Sequence, residues 1–122
     1  MRSIRLAAAA AVAALGILGP ASAQETIKIG GIAPLSPPGG VQNGESLRDG
    51  MAIAVDEINA AGGLLSKKVE VVVEDTSGVP EKGVAAFERL ASKEGVVAVT
   101  GAAHSAVCTA VGPLAKIRKG RQ

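Results

Sequence analysis

Apolar and polar positions change period several times along this chain, and each change marks a predicted element. Residues 26–32 (TIKIGGI) alternate and then become apolar, which favours a β-strand. Residues 33–43 contain three prolines and two glycines, so we expect a long loop there. From Gly44 the apolar residues follow helical spacing, and Gly62-Gly63 ends this first helix. Its predicted buried stripe consists of Leu47, Met51, Ala54, Val55 and Ile58.

The rest of the chain repeats this order of strand, turn and helix twice. Residues 69–73 are mostly valine and predict a strand covered on both faces, followed by a turn and a helix that begins at Pro80. Gly95 ends that helix, and residues 96–100 predict a third buried strand. Ser105 is predicted to cap a third helix, which Gly112-Pro113 should kink or end. The stripe predicted to be buried on the second helix is Val84, Phe87, Leu90 and Ala91.

Strands and helices that alternate with short connections indicate an α/β fold. Because crossovers between parallel strands are right-handed, this order predicts a doubly wound parallel βαβαβα sheet with helices on both faces. A sheet of this kind binds ligands outside the carboxyl ends of its strands. Residues 33–43 and residues 101–105 therefore become the candidate binding loops.

The first 23 residues have the pattern of a secretory signal peptide. Two arginines precede the apolar run 6–18, and Ala21-Ser22-Ala23 supplies a small-residue cleavage motif. The run has 13 residues, whereas a transmembrane helix needs roughly 20. We therefore expect cleavage between Ala23 and Gln24, which leaves an exported, soluble chain that carries no lipid.

Charge and motifs exclude several classes of function. The net charge of +2 comes from the two arginines ahead of the apolar run, so a nucleic-acid partner is not expected. Cys108 is the only cysteine, so the chain forms no internal disulfide, and no residues have zinc-ligand spacing. The first loop lacks both glycine-rich phosphate-binding motifs, so no nucleotide cofactor is expected. Together, these features predict neither a metal site nor enzyme activity. Cys108 is interpreted as a small core residue.

Four blocks of this sequence resemble the periplasmic binding proteins for leucine, isoleucine and valine, which serve ATP-driven importers. They are IKIGGIAPLSPPGG, GESLRDGMAIAVDEINAAGGL, EDTSGVPEKGVAAFERL and VVAVTGAAHSAV. The resemblance implies a type I fold of two lobes, each a doubly wound sheet, with an amino acid held in the cleft between them. Residues 24–122 then correspond to the first part of the N-terminal lobe.

The resemblance implies the solute-binding component of an ABC transporter, which captures an aliphatic amino acid in the periplasm and delivers it to a membrane permease. A ligand-sensing domain of a receptor and a non-functional gene fragment are the alternatives. The ending IRKGRQ departs from the family after Lys116, which favours a truncated chain that does not bind a ligand alone. A strand order of 2-1-3 then leaves the third strand as a bare edge, and we expect marginal stability or aggregation.

The resemblance also implies a binding site. Ser105 corresponds to the serine that holds the ligand α-carboxylate, with the backbone of Ala103 and His104 beside it. A helix N-terminus suits a carboxylate because it offers unpaired N–H groups and partial positive charge. From its position in the first loop, Ser36 is a further candidate contact. The simpler alternatives are that Ser105 caps its own helix and that Ser36 is a turn residue.

Two other features invite a chemical role. His104 is the only histidine, but no nucleophile and orienting acid pair with it in the sequence, so lining the loop is favoured over catalysis. Glu74 and Asp75 stand at a strand end, where they could contact a metal or a ribose. A solvated turn before the second helix is the favoured interpretation.

Overall fold

The structure of the protein is a computed structural model that describes residues 25–119. Within these residues the elements are β1 (Thr26–Ala33), α1 (Val41–Ala60), β2 (Lys68–Asp75), α2 (Pro80–Arg89), β3 (Ala98–Gly101) and α3 (Ser105–Lys119), and a π-helical turn (Leu90–Glu94) extends α2. The predicted signal peptide and its cleavage site between Ala23 and Gln24 lie outside the described residues. No helix in the described part of the chain is long and apolar enough to span a membrane.

The three strands form one parallel sheet in the order β2-β1-β3. β1 pairs with β2 along its whole length, from Thr26 opposite Lys68 to Ala33 opposite Asp75. β3 pairs only with the second half of β1, from Ile29 to Ile32. The predicted doubly wound parallel α/β fold is therefore confirmed, and so is the predicted strand order.

Neighbouring residues of β1 point to opposite faces of the sheet, so they contact two different layers of helices. A Cβ atom added at Gly31 would lie 2.7 Å from the Met51 sulfur of α1. A Cβ atom added at Gly30 would lie 3.0 Å from Leu90 Cδ1, on the opposite face. α1 therefore covers one face of the sheet, and α2 and α3 together cover the other.

The hydrophobic core lies between the sheet and the layer of α2 and α3. α2 and α3 come close together because Gly83 has no side chain: a Cβ there would lie 2.5 Å from Val107 Cγ1. Phe87 and Leu90 of the predicted stripe are buried, whereas the other two members are half-buried. The buried apolar residues of the core are Ile32, Ala86, Phe87, Leu90, Val107 and Val111.

α1 begins earlier than predicted and is less buried. It begins at Val41, three residues before Gly44, and Gly44 is its one buried residue. In the predicted stripe, Ala54 and Ile58 are exposed and the other three residues are half-buried. The physical reason is that α1 packs mainly against two strands, β1 and β2, so the sheet beneath it is too narrow to cover a full helical face.

The outer strands are also less buried than predicted. Val69 is the one buried residue of β2, and β3 contains none. Both predictions of a strand covered on both faces are wrong because β2 and β3 lie at the edges of the described sheet, where each has one neighbouring strand.

The ends of the elements follow the predictions in part. Gly95 ends the second helix with a left-handed φ of 65°, as predicted. β3 begins at Ala98, two residues later than predicted. α3 continues through Pro113 to Lys119, so of the two predicted alternatives, a kink or an end at Gly112-Pro113, the end is wrong. A proline removes one backbone donor, and the turns on either side of it hold the helix together here.

Candidate functional site

Three loops meet at the carboxyl ends of the parallel strands. They are the β1–α1 loop (residues 34–40), the β2–α2 loop (residues 76–79) and the β3–α3 loop (residues 102–104). Backbone hydrogen bonds attach the second and third loops to the end of β1. Thr76 N–H donates to the Ala33 carbonyl at 2.9 Å, and Ala102 N–H donates to the Ile32 carbonyl at 2.7 Å. This edge of the sheet is where an open α/β fold binds its ligand.

Asp75 joins the first two loops. Its Oδ1 accepts hydrogen bonds from Leu35 N–H at 2.7 Å and from Ser77 N–H at 2.8 Å. Its Oδ2 accepts hydrogen bonds from the Ser36 hydroxyl and, at 3.3 Å, from the Ser77 hydroxyl. The two serine hydroxyls also contact each other at 2.6 Å. Asp75 is thus the half-buried last residue of β2, and the interpretation of Glu74 and Asp75 as a solvated turn is wrong.

The same contacts determine the charge of Asp75. Partial burial raises the pKa of this carboxyl group, but the hydrogen bonds from Ser36, Ser77 and Leu35 outweigh burial and lower the pKa to about 2. Asp75 is therefore a carboxylate near neutral pH, and both of its oxygens accept hydrogen bonds.

Nearby charged side chains are paired within the chain. Lys82 Nζ donates to the Ser77 hydroxyl at 2.8 Å. The Glu74 carboxylate forms an ion pair with the Arg89 guanidinium at 2.7 Å, so it does not join Asp75 in a metal or ribose site. Across residues 25–119 no three His, Cys, Asp or Glu side chains come together as metal ligands.

The sequence-predicted residues of the third loop lie at the start of α3. Ala103 and Ser105 are exposed and His104 is half-buried. The backbone N–H of Cys108 donates to the His104 carbonyl at 3.0 Å, and α3 begins at Ser105. His104 therefore occupies the N-cap position, and the prediction that Ser105 caps this helix is wrong. Within the described residues, no hydrogen bond from the Ser105 hydroxyl is present.

The His104 imidazole lies against the second loop. A Cβ atom added at Gly78 would be 3.0 Å from both Cε1 and Nε2 of His104. The Nδ1 atom of His104 is buried and has no hydrogen-bond partner among residues 25–119. Among residues 25–119 no nucleophile or orienting acid is hydrogen-bonded to this ring, and loop lining stays the prediction for His104.

Ser36 also lies where the three loops meet, but its hydroxyl differs from that of Ser105 in its contacts. Its hydroxyl is hydrogen-bonded to Asp75 and Ser77, whereas the Ser105 hydroxyl is at an exposed helix start.

Cys108 is exposed and its thiol donates to the Ala102 carbonyl at 3.1 Å. The prediction that Cys108 is a core residue is therefore wrong, because α3 buries Val107 and Val111 instead.

Sequence reasoning missed the hydrogen bonds of Asp75. Two of its donors come from Leu35 and Ser36, which lie 40 and 39 residues away along the chain. No local pattern shows such a contact. The available signal was the local one, since an aspartate two residues before Ser77 is typical of a turn in which the side chain accepts the later N–H.

The comparison with known proteins agrees with this fold. The family model for periplasmic binding proteins matches residues 26–119, which is three residues beyond Lys116, where the sequence resemblance was expected to end. The Leu/Ile/Val-binding protein BraC3 of Rhizobium johnstonii is 38% identical over 89 residues, which cover 73% of this chain and 24% of that protein.

Two solved structures have the same fold over the matched part. LivJ, a branched-chain amino acid transporter substrate-binding protein of Streptococcus pneumoniae in complex with isoleucine, matches with a TM-score of 0.69 and 36% identity, over 75% of this chain and 26% of LivJ. A possible leucine/isoleucine/valine-binding protein of Rhodopirellula baltica matches with a TM-score of 0.74 and 28% identity, over 84% of this chain and 27% of that protein.

This chain therefore spans about a quarter of the length of the relatives it matches. The names of these relatives describe solute-binding proteins, which is in line with the expectation that the chain is not an enzyme. With a family match over residues 26–119 and a sheet that follows the N-terminal lobe of the type I members, the chain belongs to the periplasmic binding protein family.

Proposed function

We propose that this chain forms part of a solute-binding protein that captures a branched-chain or related aliphatic amino acid. The protein acts in the periplasm, after export directed by residues 1–23, and delivers its ligand to the membrane permease of an ABC importer. The binding of isoleucine by LivJ and the names of the other relatives support this ligand class. The observation that carries the proposal is the exposed start of α3, where the Ser105 hydroxyl makes no hydrogen bond within the described chain.

The ligand α-carboxylate is held at this start of α3. The first turn of the helix presents unpaired N–H groups and the positive end of the helix dipole, both of which favour an anion. The Ser105 hydroxyl adds a further donor, and the exposed backbone at Ala103 borders the same site beside His104. Ser105 is the first residue of α3 and not its N-cap, which supports a role for its hydroxyl in binding a ligand.

The ligand's ammonium group and side chain contact parts of the protein that this chain does not contain. The share of each relative that the chain covers, about a quarter, supports this division of the ligand. A single helix N-terminus with one serine supplies few contacts. We therefore expect the isolated chain to give no heat of binding when it is titrated with leucine, isoleucine or valine.

A chimeric protein tests the proposed site. Residues 26–119 would replace the matching segment of LivJ from Streptococcus pneumoniae, and isoleucine binding would be measured by calorimetric titration. We expect the chimera to bind isoleucine. The change Ser105→Ala should weaken binding roughly 10- to 100-fold, because a hydrogen bond to a charged group contributes about 1.5–3 kcal/mol.

Ser46→Ala is the matched control, since Ser46 is an exposed serine on α1 whose hydroxyl donates to the Gln42 carbonyl of the same helix. It should leave the affinity of the chimera unchanged. A folded chimera that binds isoleucine equally well with and without the Ser105 hydroxyl would contradict the proposed carboxylate site.

A further inference from the structure

We propose that Asp75 is a positioning residue for the start of α3: it ties the β1–α1 loop to the β2–α2 loop, and the β2–α2 loop in turn holds His104 in place. The inference deepens the proposed function and rests on it for its meaning, because the start of α3 is the proposed carboxylate site. The contacts run from Ser36 to Asp75, from Asp75 to Ser77 and the adjacent Gly78, and from Gly78 to His104.

The first link is the set of hydrogen bonds at Asp75. Two of its four bonds come from the β1–α1 loop, from Leu35 N–H and the Ser36 hydroxyl, and two come from Ser77 of the β2–α2 loop. The carboxylate therefore binds both loops at once. Hydrogen bonds to a charged acceptor are stronger than neutral ones, so this tie is more stable than an ordinary contact between two loops.

The second link is the close approach of two glycines. A Cβ atom added at Gly39 would lie 2.7 Å from the Ser77 carbonyl, and one added at Gly78 would lie 3.0 Å from Gly39 Cα. The backbones of the two loops therefore touch without side chains between them. When the hydrogen bonds of Asp75 hold the two loops together, contact with Gly39 restricts the positions of Ser77 and Gly78.

The third link joins Gly78 to His104. The backbone at Gly78 has a left-handed φ of 69°, and the His104 ring packs at the position that a side chain on residue 78 would occupy. Because His104 Nδ1 has no hydrogen-bond partner within residues 25–119, packing rather than hydrogen bonding holds that side of the ring. The position of the imidazole therefore depends on the backbone at Gly78, against which the ring packs.

The last link is covalent and short. The His104 carbonyl accepts the hydrogen bond from Cys108 N–H at the start of α3, and Ser105 is the next residue. A shift of the His104 ring therefore changes the backbone from which the proposed carboxylate donors project. Ser36 acts in this arrangement through Asp75 and Ser77, which engage its hydroxyl.

Nuclear magnetic resonance tests this chain of contacts without any ligand. His104 and Phe87 are the only aromatic or imidazole side chains in the sequence, so the Cε1–H signal of His104 is easily assigned. In the full chain we expect a nuclear Overhauser effect between this proton and the Gly78 α-protons. Asp75→Ala should abolish it and should move the His104 signal toward its position in the urea-unfolded chain, although Asp75 and His104 are not hydrogen-bonded to each other.

Milder variants keep the test decisive if Asp75→Ala does not fold. Ser36→Ala removes one hydrogen bond between the loops and should weaken the Overhauser effect. Ser36→Thr retains the hydroxyl and should keep the effect at the strength seen in the unmodified chain. Asp49→Ala is the control for loss of a carboxylate, since Asp49 is exposed on α1 and pairs with the adjacent Arg48. It should leave the His104 signal unchanged. Circular dichroism checks that each variant is folded.

The outcomes separate this inference from the proposed function. If the His104–Gly78 contact persists in folded Asp75→Ala and Ser36→Ala, or is missing from the unmodified chain, the positioning role is overturned. If the contact follows the expected pattern but the LivJ chimera does not bind isoleucine, the tie between the loops stands and the proposed function fails.

Discussion

At the scale of single residues, Asp75 makes the stability of the chain depend on pH. Its pKa is about 2 in the folded chain, whereas an aspartate in an unfolded chain has a pKa of about 3.9. A carboxyl group whose pKa falls on folding stabilises the folded state above its unfolded pKa, and this contribution disappears as the pH falls toward the folded pKa. The stabilisation is therefore present above about pH 4 and is lost between about pH 4 and about pH 2.

Urea unfolding at a series of pH values measures this effect. The unfolding midpoint of the unmodified chain should fall steeply across that acidic window, and the midpoint of Asp75→Asn should fall less. Asp49→Asn serves as the comparison, because Asp49 is an exposed residue whose carboxylate pairs with the adjacent Arg48. The midpoint of this variant should keep the steep fall. Parallel curves for the unmodified chain and Asp75→Asn would mean that the hydrogen bonds to Asp75 do not stabilise the fold.

At the scale of elements, two glycines of α1 have opposite roles. A Cβ atom at Gly44 would lie 2.0 Å from the Pro34 carbonyl oxygen, whereas a Cβ atom at Gly50 would have nothing within 4 Å. Gly44→Ala should therefore destabilise the chain by about 1–3 kcal/mol, because the helix or the β1–α1 loop must move. Gly50→Ala should stabilise it by about 0.5–1 kcal/mol, because alanine loses less conformational freedom in a helix.

Urea unfolding monitored by circular dichroism compares the two variants with the unmodified chain. They introduce the same methyl group on the same helix, so helix propensity cancels in the comparison between them. If both alanines stabilise the chain, the close approach of α1 to the β1–α1 loop is not a constraint on the fold.

The elements also differ in how far the sequence predicts them. The period of apolar residues predicted every strand and helix in order, because it reflects which faces are covered. Burial was harder to predict, since Val71 to Val73 look like a buried strand but are half-buried at the edge of the described sheet. Of the predicted kink or end at Gly112-Pro113, the end is wrong because Pro113 is tolerated inside a helix whose other turns hold it.

The candidate site was likewise predicted only in part from the sequence. Local pattern and family resemblance together placed Ser105 at the start of the third helix, where it lies. Neither predicted that Ser36 bonds to Asp75, because that bond joins residues 39 positions apart and depends on β1 and β2 lying side by side. Contacts between loops require the strand order and register, and the sequence pattern specifies these only indirectly.

At the scale of the whole molecule, the two edges of the described sheet are protected to different extents. β2 carries Lys68, Glu70 and Glu74, and charges of this kind discourage pairing with another chain. β3 has no charged residue, and Val97 just before it is 71% exposed. Unpaired backbone groups next to exposed apolar side chains favour association between chains. We therefore expect this chain to self-associate through the β3 edge.

Val97→Lys should reduce that association, because a positive charge at the start of β3 repels a second copy that approaches the same edge. Leu65→Lys is the matched control, since Leu65 is 82% exposed but lies in the turn between α1 and β2. Light scattering over a range of concentrations measures the effect, with a lower apparent mass expected for Val97→Lys alone. Equal reduction by both variants would point to general surface hydrophobicity instead of the edge strand, and a monomeric unmodified chain with a sharp unfolding transition would contradict the expectation itself.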